Sequence, residues 1–389
     1  MSKPSAIRKS SAFILGLGTA LPEHRYDQAE LAETLLKQVP LPTVEAGRLR
    51  RMAAACGIAT RHSVLPDYQA YEPGGPRLLY PDNPDFEPAP NLEARMRCFH
   101  EQAPPLALRA IKTCFERCPQ LERGQITHLI AVSCTGLAAP GLDLMLLKAL
   151  ELPPHTHRTA VNFMGCYAAM HALKQADAIC RADSEALVLV VCVELCTLHF
   201  QKDPTPDNLA ASLLFADGAA AVLIGGADHV NPAGGAEHID PAGTPAPIMR
   251  LDGFYSEVAF EGWQDMAWQL SGQGFLMKLS AYVPELLRVG IRPLVERALD
   301  RLGLSLDAVD HWALHPGGRR ILDLAKEELE LPPGALDVAY EVLASCGNMS
   351  SPTVLFVLDR LHLQPGQRVL AAAFGPGLTM ETLVATVHA

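Results

Sequence analysis

Apolar and polar positions follow the same order in two separate parts of the chain. Residues 126–154 begin with an apolar run typical of a strand, continue through a Gly-containing loop, and end with a helical apolar period that closes on Leu-Glu-Leu-Pro-Pro. Residues 309–333 show the same order and close on the same five residues. The pattern predicts an α/β protein in which one strand, loop and helix unit occurs twice.

The two units remain similar beyond the shared pentapeptide. A glycine step, Gly165-Cys166 in the first copy and Gly347-Asn348 in the second, opens a further apolar helix. Each of these helices leads to another hydrophobic strand, at 186–195 and at 367–374. Duplication explains this shared order, so we expect two similar halves that face each other.

The Gly/Pro-rich segment 225–247 is the natural junction between the halves. It predicts an N-terminal half at 1–228 that carries Cys166. The C-terminal half at 229–389 then carries the second copy of the unit.

The composition narrows the class of protein. With 389 residues and 49% hydrophobic content, the chain can bury one large core or two fused ones. Its longest unbroken apolar run, 186–193, is far shorter than the roughly 18 residues of a membrane-spanning helix, and we see no hydrophobic leader at the N-terminus. We therefore expect a cytoplasmic protein without membrane insertion. A formal net charge of −11 argues against a nucleic-acid-binding surface.

The chain has ten cysteines and no Cys-x-x-Cys pair. This spacing argues against a disulfide framework and against a zinc site, so we predict no metal. The segment 16–21, Gly-Leu-Gly-Thr-Ala-Leu, has Leu21 where a dinucleotide-binding loop needs glycine, which argues against a nicotinamide cofactor.

Cys166 lies where an apolar run gives way to a helix of small residues. At a helix N-terminus, backbone N–H groups and the helix dipole stabilise a thiolate, and a nearby imidazole can take the proton. His315 follows the strand of the second unit, and Asn348 takes the position there that Cys166 takes in the first. Taken singly, a structural thiol, a loop histidine and an N-cap asparagine are all common. The duplication predicts that they converge, with Cys166 as a nucleophile.

Four segments carry a resemblance to a known family. They are GCYAA at 165–169, WALHPGG at 312–318, SCGNMSSPTVLF at 345–356 and AFGPGLTMET at 373–382. In this order they resemble the signature segments of the chalcone synthase-like type III polyketide synthases, and the similarity extends over essentially the whole chain. The resemblance implies the thiolase fold, which is a duplicated, five-layered αβαβα core that forms homodimers. It also implies that Cys166 is the nucleophile, with His315 and Asn348 as its partners.

The same resemblance implies an acyltransferase that takes coenzyme A thioesters as substrates and needs no separate cofactor. An acyl group passes from an acyl-CoA starter to Cys166, malonyl-CoA loses carbon dioxide, and the resulting enolate attacks the waiting thioester. Each cycle adds two carbons before the chain cyclises. His315 and Asn348 would donate hydrogen bonds to the oxygen that becomes negative. Phe215 would provide an apolar wall that favours the departure of neutral carbon dioxide.

Further pocket positions follow from the family pattern. Met277 stands where plant members often have a second gatekeeping phenylalanine, which implies a softer entrance. Three positions that are threonine in plant enzymes carry sulfur or imidazole here; they are Cys134, Cys196 and His199. A glycine-rich turn is expected to form a wall whose missing side chains let the growing chain bend. It consists of Phe374, Gly375, Pro376 and Gly377.

The starter group is less well determined by the sequence. Ala139 replaces a methionine that in plant enzymes reaches into the cavity of the partner subunit, which leaves a cross-subunit contribution open. Met277 and Ala139 are compatible with an opened tunnel, so a medium or long fatty acyl-CoA starter and an alkylresorcinol or alkylpyrone product are favoured.

An anionic coenzyme A needs local positive charge that works against the acidic chain. The family anchors its phosphates near a basic segment, where Arg48 and Arg51 are the candidates here. A third basic position of the family is Ala55 in this chain. Arg319 and Arg320, directly after the His-Pro-Gly-Gly segment, could compensate.

Other readings of the same residues remain open. A ketoacyl synthase III-like enzyme has the same Cys, His, Asn order but performs one condensation with carrier-bound malonate. A cysteine hydrolase also uses Cys, His and Asn in this order, although the Cys-Gly-Ser-Cys segment of papain-like proteases is missing. A catalytically inactive scaffold is a third reading, which the presence of all three reactive residues disfavours.

Overall fold

Strands and helices alternate along much of the chain. The computed structural model describes residues 11–69, 71–230, 249–280 and 283–388. The strands are β1 (Phe13–Ala20), β2 (His24–Asp27), β3 (Thr60–Ser63), β4 (His128–Ser133), β5 (His157–Asn162), β6 (Leu187–Leu195), β7 (Asp217–Gly225), β8 (Met249–Val258), β9 (Met266–Ser271), β10 (Gly274–Leu279), β11 (His311–Leu314), β12 (Arg368–Gly375) and β13 (Thr379–Val387). The helices are α1 (Gln28–Gln38), α2 (Thr43–Ala55), α3 (Leu92–Glu116), α4 (Leu142–Ala149), α5 (Ala168–Ala182), α6 (Pro206–Leu214), α7 (Val283–Asp300), α8 (Arg319–Glu328), α9 (Asp337–Cys346) and α10 (Thr353–Arg360).

A nine-stranded mixed sheet connects the two halves of the chain. Its strand order is β11-β12-β13-β8-β1-β7-β6-β4-β5. One end of the sheet consists of β1, β7, β6, β4 and β5, which come from residues before 228. The other end consists of β11, β12, β13 and β8, which come from residues after 248. The two groups meet where Phe13 and Ile14 of β1 pair with Arg250 and Met249 of β8.

The two ends of the sheet have the same topology. In the first half, β4 and β6 pair in parallel, and β6 with β7 and β7 with β1 pair antiparallel. In the second half, β11 and β12 pair in parallel, and β12 with β13 and β13 with β8 pair antiparallel. The duplicated core predicted from the sequence is confirmed by this matching series of strand pairs.

Helices form three layers around the two halves of the sheet. The central layer is α5 and α10, each of which packs against strands of both halves. Helix α3 covers β1, β6 and β7 on one outer face, and α7 covers β8 and β13 on the other. Because α5 lies between the two halves of the sheet, its buried positions are rich in alanine, which allows close approach on both sides. The sequence of layers is the predicted αβαβα.

The glycines of the segment 16–21 serve packing. A Cβ on Gly18 would lie 2.2 Å from the backbone nitrogen of Cys114 and 2.5 Å from the carbonyl oxygen of Ala110, both on α3. Glycine therefore lets α3 contact the backbone of β1 directly, which explains this motif without a dinucleotide.

Two sequence predictions fall partly outside the described residues. The predicted junction at 225–247 includes residues 231–247, and the segment in which a leader was sought includes residues 1–10; both stretches lie outside the described ranges. Within the described ranges, none of the helices has the length and apolar character needed to cross a membrane.

Candidate active site

A chamber of about 740 Å³ lies where the two halves meet. Its walls carry side chains that the sequence analysis selected from both halves. From the first half they are Cys134, Cys166, Cys196 and Phe215. From the second half they are Met277, His315, Arg319, Arg320, Asn348, Phe374 and Pro376. The chamber surface is mostly apolar, as expected for a site that holds hydrocarbon.

Cys166 is held at the wall by a sharp turn that precedes α5. Phe163 and Gly165 both have positive φ angles, 57° and 74°, so the backbone turns tightly just before the thiol. A Cβ on Gly165 would lie 2.3 Å from Cδ of Pro376, which means that only glycine fits against the turn at 374–377. The backbone of Gly165 therefore packs against the ring of Pro376, so that the two halves touch directly beside the sulfur.

Asn348 faces the sulfur from the opposite half. Its Oδ1 and Nδ2 lie 3.9 Å and 4.0 Å from Sγ of Cys166. The backbone N–H of Ser350 donates to Oδ1 over 2.8 Å, which fixes the orientation of the amide and turns its NH₂ group toward the chamber. The same NH₂ group lies 3.4 Å from the carbonyl oxygen of Gly317.

His315 lies at the end of β11 and is buried, with 1% of its surface exposed. Its backbone N–H donates to the carbonyl of Ala372 over 2.8 Å, which anchors it to β12. Neither ring nitrogen has a hydrogen-bond partner among the described residues. A buried polar group without a partner costs roughly 1–3 kcal/mol, so this ring is aimed at a group that the protein does not itself provide.

Burial shifts the pKa values of Cys166 and His315. Loss of hydration raises the pKa of the Cys166 thiol to about 11, although hydrogen bonds from Ser350 and Asn348 act in the opposite direction. Loss of hydration likewise lowers the pKa of His315 to about 3. Burial therefore favours the neutral thiol and the neutral imidazole over their charged forms. Stabilisation of the thiolate by the helix N-terminus stays a prediction.

Phe215 and Asn348 are fixed to each other through the backbone. The N–H of Asn348 donates to the carbonyl of Leu214 over 3.0 Å, and the N–H of Ala216 donates to the carbonyl of Asn348 over 2.9 Å. The buried guanidinium of Arg61 donates to the carbonyl of Phe215 over 2.6 Å. The apolar ring and the amide therefore keep a constant spacing.

The turn at 374–377 lines the chamber with two of its four residues. Phe374 and Pro376 face the chamber. A Cβ on Gly375 would lie 2.6 Å from the ring of Tyr167, and one on Gly377 would lie 3.6 Å from the ring of Trp263. The glycines thus permit close packing behind the wall.

His199 does not line the chamber. It borders a smaller cavity of about 80 Å³ on the other side of the wall, called the side cavity below. Its Nε2–H donates to the carbonyl of Thr135 over 2.8 Å, and its Nδ1 accepts the N–H of Phe275 over 3.1 Å. With both nitrogens engaged, His199 acts on the chamber through the strands that it connects.

Three residues at the site were missed by the sequence analysis. Trp268 of β9 lines the chamber and donates its Nε1–H to the carbonyl of Cys134 over 2.8 Å. Ser350 has a positive φ of 58° and orients Asn348. Glu194 is fully buried behind Cys134. Ser350 lies within the segment 345–356 that the sequence analysis quoted, whereas Trp268 and Glu194 stand in no such segment. An acidic residue inside the apolar strand 186–195 was a visible signal for Glu194.

Glu194 accepts hydrogen bonds from both halves. Its Oε2 accepts from the backbone N–H of Cys134 over 2.9 Å and from the hydroxyl of Thr135 over 2.8 Å, and its Oε1 accepts from the hydroxyl of Ser351 over 2.6 Å. Burial raises the pKa of Glu194 to about 7 despite these bonds. The carboxyl group thus ties the Cys134 wall to the loop that carries Asn348.

The four arginine candidates differ in their ion pairing. Arg320 donates to Glu285 over 2.7 Å, and Arg319 lies 3.7 Å from Asp323. Arg48 and Arg51 are exposed on α2 and have no acidic partner among the described residues, while Met52 and Ala55 of the same helix line the chamber.

None of the ten cysteines, all of which lie within the described ranges, forms a disulfide bond. The described part of the chain contains no group of three or more His, Cys, Asp or Glu residues placed to hold a metal ion.

Comparison with known proteins gives a consistent result. The family model of the N-terminal domain of chalcone and stilbene synthases matches residues 2–228, and the model of their C-terminal domain matches residues 257–388. The chain is 30% identical to the alpha-pyrone synthesis polyketide synthase-like Pks18 of Mycobacterium tuberculosis (strain ATCC 25618 / H37Rv), over 98% of this chain and 92% of the relative. It is also 30% identical to the 1,3,6,8-tetrahydroxynaphthalene synthase of Streptomyces peucetius, over 95% of this chain and 91% of the relative.

Solved structures give the same result for the fold. PKS-I of the brown alga Ectocarpus siliculosus superposes with a TM-score of 0.86 at 28% identity, over 99% of this chain and 100% of that one. The C-terminal type III polyketide synthase domain of Steely1 from Dictyostelium superposes with a TM-score of 0.84 at 26% identity, over 97% of this chain and 100% of that one.

The raised pKa of Glu194 predicts a specific pH dependence of stability. A carboxyl with a pKa of 4.5 in the unfolded chain and about 7 in the native state binds more protons in the native state between these values. Stability therefore falls as the pH rises from about 4.5 to about 7. Glu194→Gln removes this dependence. The free energy of unfolding of wild type should therefore fall by roughly 2–3 kcal/mol relative to that of the variant as the pH rises across this range.

Urea unfolding of both proteins at several pH values measures the difference. The matched control is Glu45→Gln at an exposed position of α2, for which the difference from wild type should stay constant with pH. A constant difference for Glu194→Gln as well would mean that Glu194 is already ionised at the lowest pH.

Proposed function

The chain belongs to the chalcone and stilbene synthase family of type III polyketide synthases, and from this premise we propose that Cys166, His315 and Asn348 carry out its reaction on a fatty acyl-CoA starter. Type III polyketide synthases are acyltransferases that iteratively condense malonyl-CoA with an acyl-CoA starter and cyclise the product. One observation carries the assignment of residues: an amide from the second half lies within 4.0 Å of the sulfur of the first. The same chamber wall carries the His315 imidazole, neither of whose nitrogens has a partner among the described residues.

The first step loads the starter. His315 takes the proton of the Cys166 thiol, and the thiolate attacks the carbonyl carbon of acyl-CoA. The thiolate of coenzyme A leaves and takes the proton back from the imidazolium. Because both groups are buried, the charges appear only as a contact pair, whose attraction replaces the hydration that each has lost.

The second step forms the carbon–carbon bond. The thioester oxygen of malonyl-CoA accepts hydrogen bonds from His315 and from the NH₂ group of Asn348, which stabilise the enolate as carbon dioxide leaves. Phe215 offers the leaving carboxylate no hydrogen bond, so departure as a neutral molecule is favoured. The enolate carbon attacks the thioester on Cys166, the sulfur leaves as thiolate, and the lengthened chain returns to it for another cycle.

A medium or long fatty acyl group fits the chamber best. The walls are mostly apolar, and Met277 offers a flexible boundary. Ala139 lies outside the chamber lining, on the exposed loop 137–140. We place the product among alkylresorcinols or alkylpyrones, a choice in line with the alpha-pyrone synthesis that names one relative. No cofactor beyond the coenzyme A thioesters has a part in this mechanism.

Coenzyme A is assigned to the rim beside α2. Arg48 and Arg51 are exposed cations without an acidic partner among the described residues, next to a turn of the same helix that lines the chamber. Arg319 and Arg320 stand at the chamber wall, but Arg320 is already engaged by Glu285. Charge-assisted bonds to phosphate are therefore expected mainly from α2.

A homodimer is proposed from the edge of the sheet. Strand β5 ends the sheet, pairs on one side with β4, and is exposed at five of its six residues. The exposed loop 137–140, which includes Ala139, lies beside it. An open strand edge of this kind pairs readily with a second chain. In this dimer the first half of the chain, 1–228, would form the contact between subunits. Each chamber would be built from both halves, 1–228 and 229–389.

Loss of the nucleophile should abolish synthesis. Cys166→Ala and wild type are incubated with radiolabelled malonyl-CoA and a panel of acyl-CoAs, and acyl-enzyme and products are analysed by mass spectrometry. Cys166→Ala should form neither acyl-enzyme nor product. His315→Ala and Asn348→Ala should each lower kcat about 10²–10³-fold, since each removes one donor to the developing oxyanion. Cys98→Ala, a buried thiol of α3 remote from the chamber, is the control.

Other results would change the assignment. Full-length product from Cys166→Ala would refute the covalent mechanism. Incorporation that requires an acyl carrier protein would favour a ketoacyl synthase III-like reaction, and hydrolysis without condensation would favour a cysteine hydrolase.

The arginine assignment predicts an effect on binding. The double variant Arg48→Ala/Arg51→Ala should raise the KM for malonyl-CoA at least about fivefold with kcat nearly unchanged, because the phosphate contacts are the same in the ground and transition states. Arg50→Ala is the matched control, since Arg50 lies on the same helix but donates to Glu33 over 2.6 Å. The same KM for all three proteins would place coenzyme A elsewhere. An unchanged KM in Arg319→Ala and Arg320→Ala would exclude those two.

The dimer is tested at the strand edge. Ala160→Lys places a charge on β5 and should raise the dissociation constant of the dimer at least tenfold in sedimentation velocity, about the effect of 1.4 kcal/mol. Val289→Lys, at a position of α7 with 78% exposure, is the control. A monomeric wild type, or a dimer that Ala160→Lys does not weaken, would refute the proposed interface.

A further inference from the structure

The chamber and the side cavity share one wall. The residues that line both spaces, and so form this wall, are Cys196, Phe215, Trp268 and Met277. Carbon and sulfur make up almost all of their side-chain surface. The Nε1–H of Trp268 already donates to the carbonyl of Cys134 over 2.8 Å. A molecule that crosses the wall therefore gains no strong hydrogen bond from it.

The far side of the wall is polar. Hydroxyl and amide side chains line much of the side cavity there; they include Ser63, Thr197, Gln201, Asn208 and Ser212. Thr34 of α1 and Asn208 and Ser212 of α6 are only half-buried, so the cavity reaches the surface between these two helices. A polar cavity of about 80 Å³ has room for several water molecules. One layer of side chains thus separates the apolar chamber from a space suited to water.

Phe215 is the part of the wall that is held from both sides. On the chamber side its backbone forms a bridge with that of Asn348. On the other side the guanidinium of Arg61, which lines the side cavity and not the chamber, donates from Nη1 to the carbonyl of Phe215 over 2.6 Å. Phe215 is therefore a fixed boundary between the reacting end of the chamber and the polar cavity.

Decarboxylation releases a product while the entrance of the chamber is in use. In the proposed mechanism the bond between the malonyl carboxylate and its neighbouring carbon breaks, the electron pair stays on the enolate, and neutral carbon dioxide forms beside Phe215. At that moment the coenzyme A thioester extends from the chamber to the rim beside α2, and the acyl group on Cys166 fills part of the remaining space. Carbon dioxide that stays beside the enolate can recombine with it. Its removal by another route therefore favours condensation.

We propose that the side cavity is the exit for carbon dioxide, which crosses the wall between Phe215, Cys196 and Met277. Carbon dioxide is small, uncharged and donates no hydrogen bond, so an apolar wall hinders it little. Water and carboxylates would lose hydrogen bonds or hydration in the same passage, which keeps the acyl thioester dry. Cys196 is small and Met277 is flexible, so a gap can open here while Trp268 stays in place. The inference rests on the proposed function, because the gas forms only if Phe215 faces the malonyl carboxylate.

The test fills the side cavity from α6. Ala211 lines the side cavity and not the chamber, and Ala211→Leu adds an isopropyl group there. Two rates are measured: transfer of the acyl group from acyl-CoA to Cys166, which releases no gas, and release of labelled carbon dioxide from carboxyl-labelled malonyl-CoA. Ala211→Leu should lower the second rate at least about fivefold and leave the first within about twofold, because the departure of one product becomes limiting. Ala29→Leu, at an exposed position of α1 outside both cavities, is the matched control and should keep both rates.

A second variant and a second measurement guard against misfolding. Ser212→Met fills the cavity at another point and should give the same difference between the two rates. The proposal is overturned if a folded variant releases carbon dioxide at the wild-type rate, or if both rates fall by the same factor, as a displaced Cys166 would cause. Crystals of wild type under pressurised carbon dioxide need no variant. They should hold the gas in the side cavity, and its absence from there would overturn the exit.

Failure of the exit and failure of the proposed function give different results. If wild type releases no carbon dioxide from malonyl-CoA with any acyl-CoA, the proposed mechanism is wrong and the exit with it. If wild type releases carbon dioxide but rejects fatty acyl-CoAs, only the starter class is wrong, and the rates are compared with an acyl-CoA that it accepts. Unchanged release by both filled variants, with an active wild type, overturns the exit alone.

Discussion

Desolvation of a thiol and an imidazole is the constraint on which the site depends. Cys166 and His315 are both buried where the halves meet, and each is more stable there without charge. A thiolate and an imidazolium can therefore form only together and in contact, since neither can be stabilised by water. The fold supplies this condition by closing the chamber with apolar side chains from both halves. A dry site also strengthens each hydrogen bond to a developing oxyanion.

The duplicated architecture explains how the reacting groups come together. Cys166 precedes α5 and Asn348 precedes α10, which are the two helices of the central layer. Because related helices begin at the same interface, one half can supply the proposed nucleophile and the other its proposed hydrogen-bond donors. The backbone contact of Gly165 with Pro376 sets the distance between the halves at this point. Catalytic geometry is thus a consequence of how two copies of one unit pack.

The sequence predicts the parts of the site that local chemistry marks. The repeat and the four motifs were sufficient to select Cys166, His315 and Asn348, because turns and helix starts need particular residues at particular spacing. Trp268 was missed because nothing in an alternating strand tells which face will meet a cavity. His199 was expected in the chamber and lies behind its wall, since side-chain direction depends on strands that are remote in sequence. The helix N-terminus, a local feature, predicts that the thiolate is stabilised, whereas burial by the whole fold acts in the opposite direction.

Two histidines near the chamber show how a functional group differs from a structural one. His199 and His315 are both buried, and burial lowers the pKa of each to about 3. The ring of His199 gives its proton to one backbone carbonyl and accepts another backbone N–H, so its burial costs little. The ring of His315 has neither kind of partner among the described residues, and the fold bears that cost. Since folding alone favours satisfying such a group, the unsatisfied ring is the one that we propose interacts with substrate.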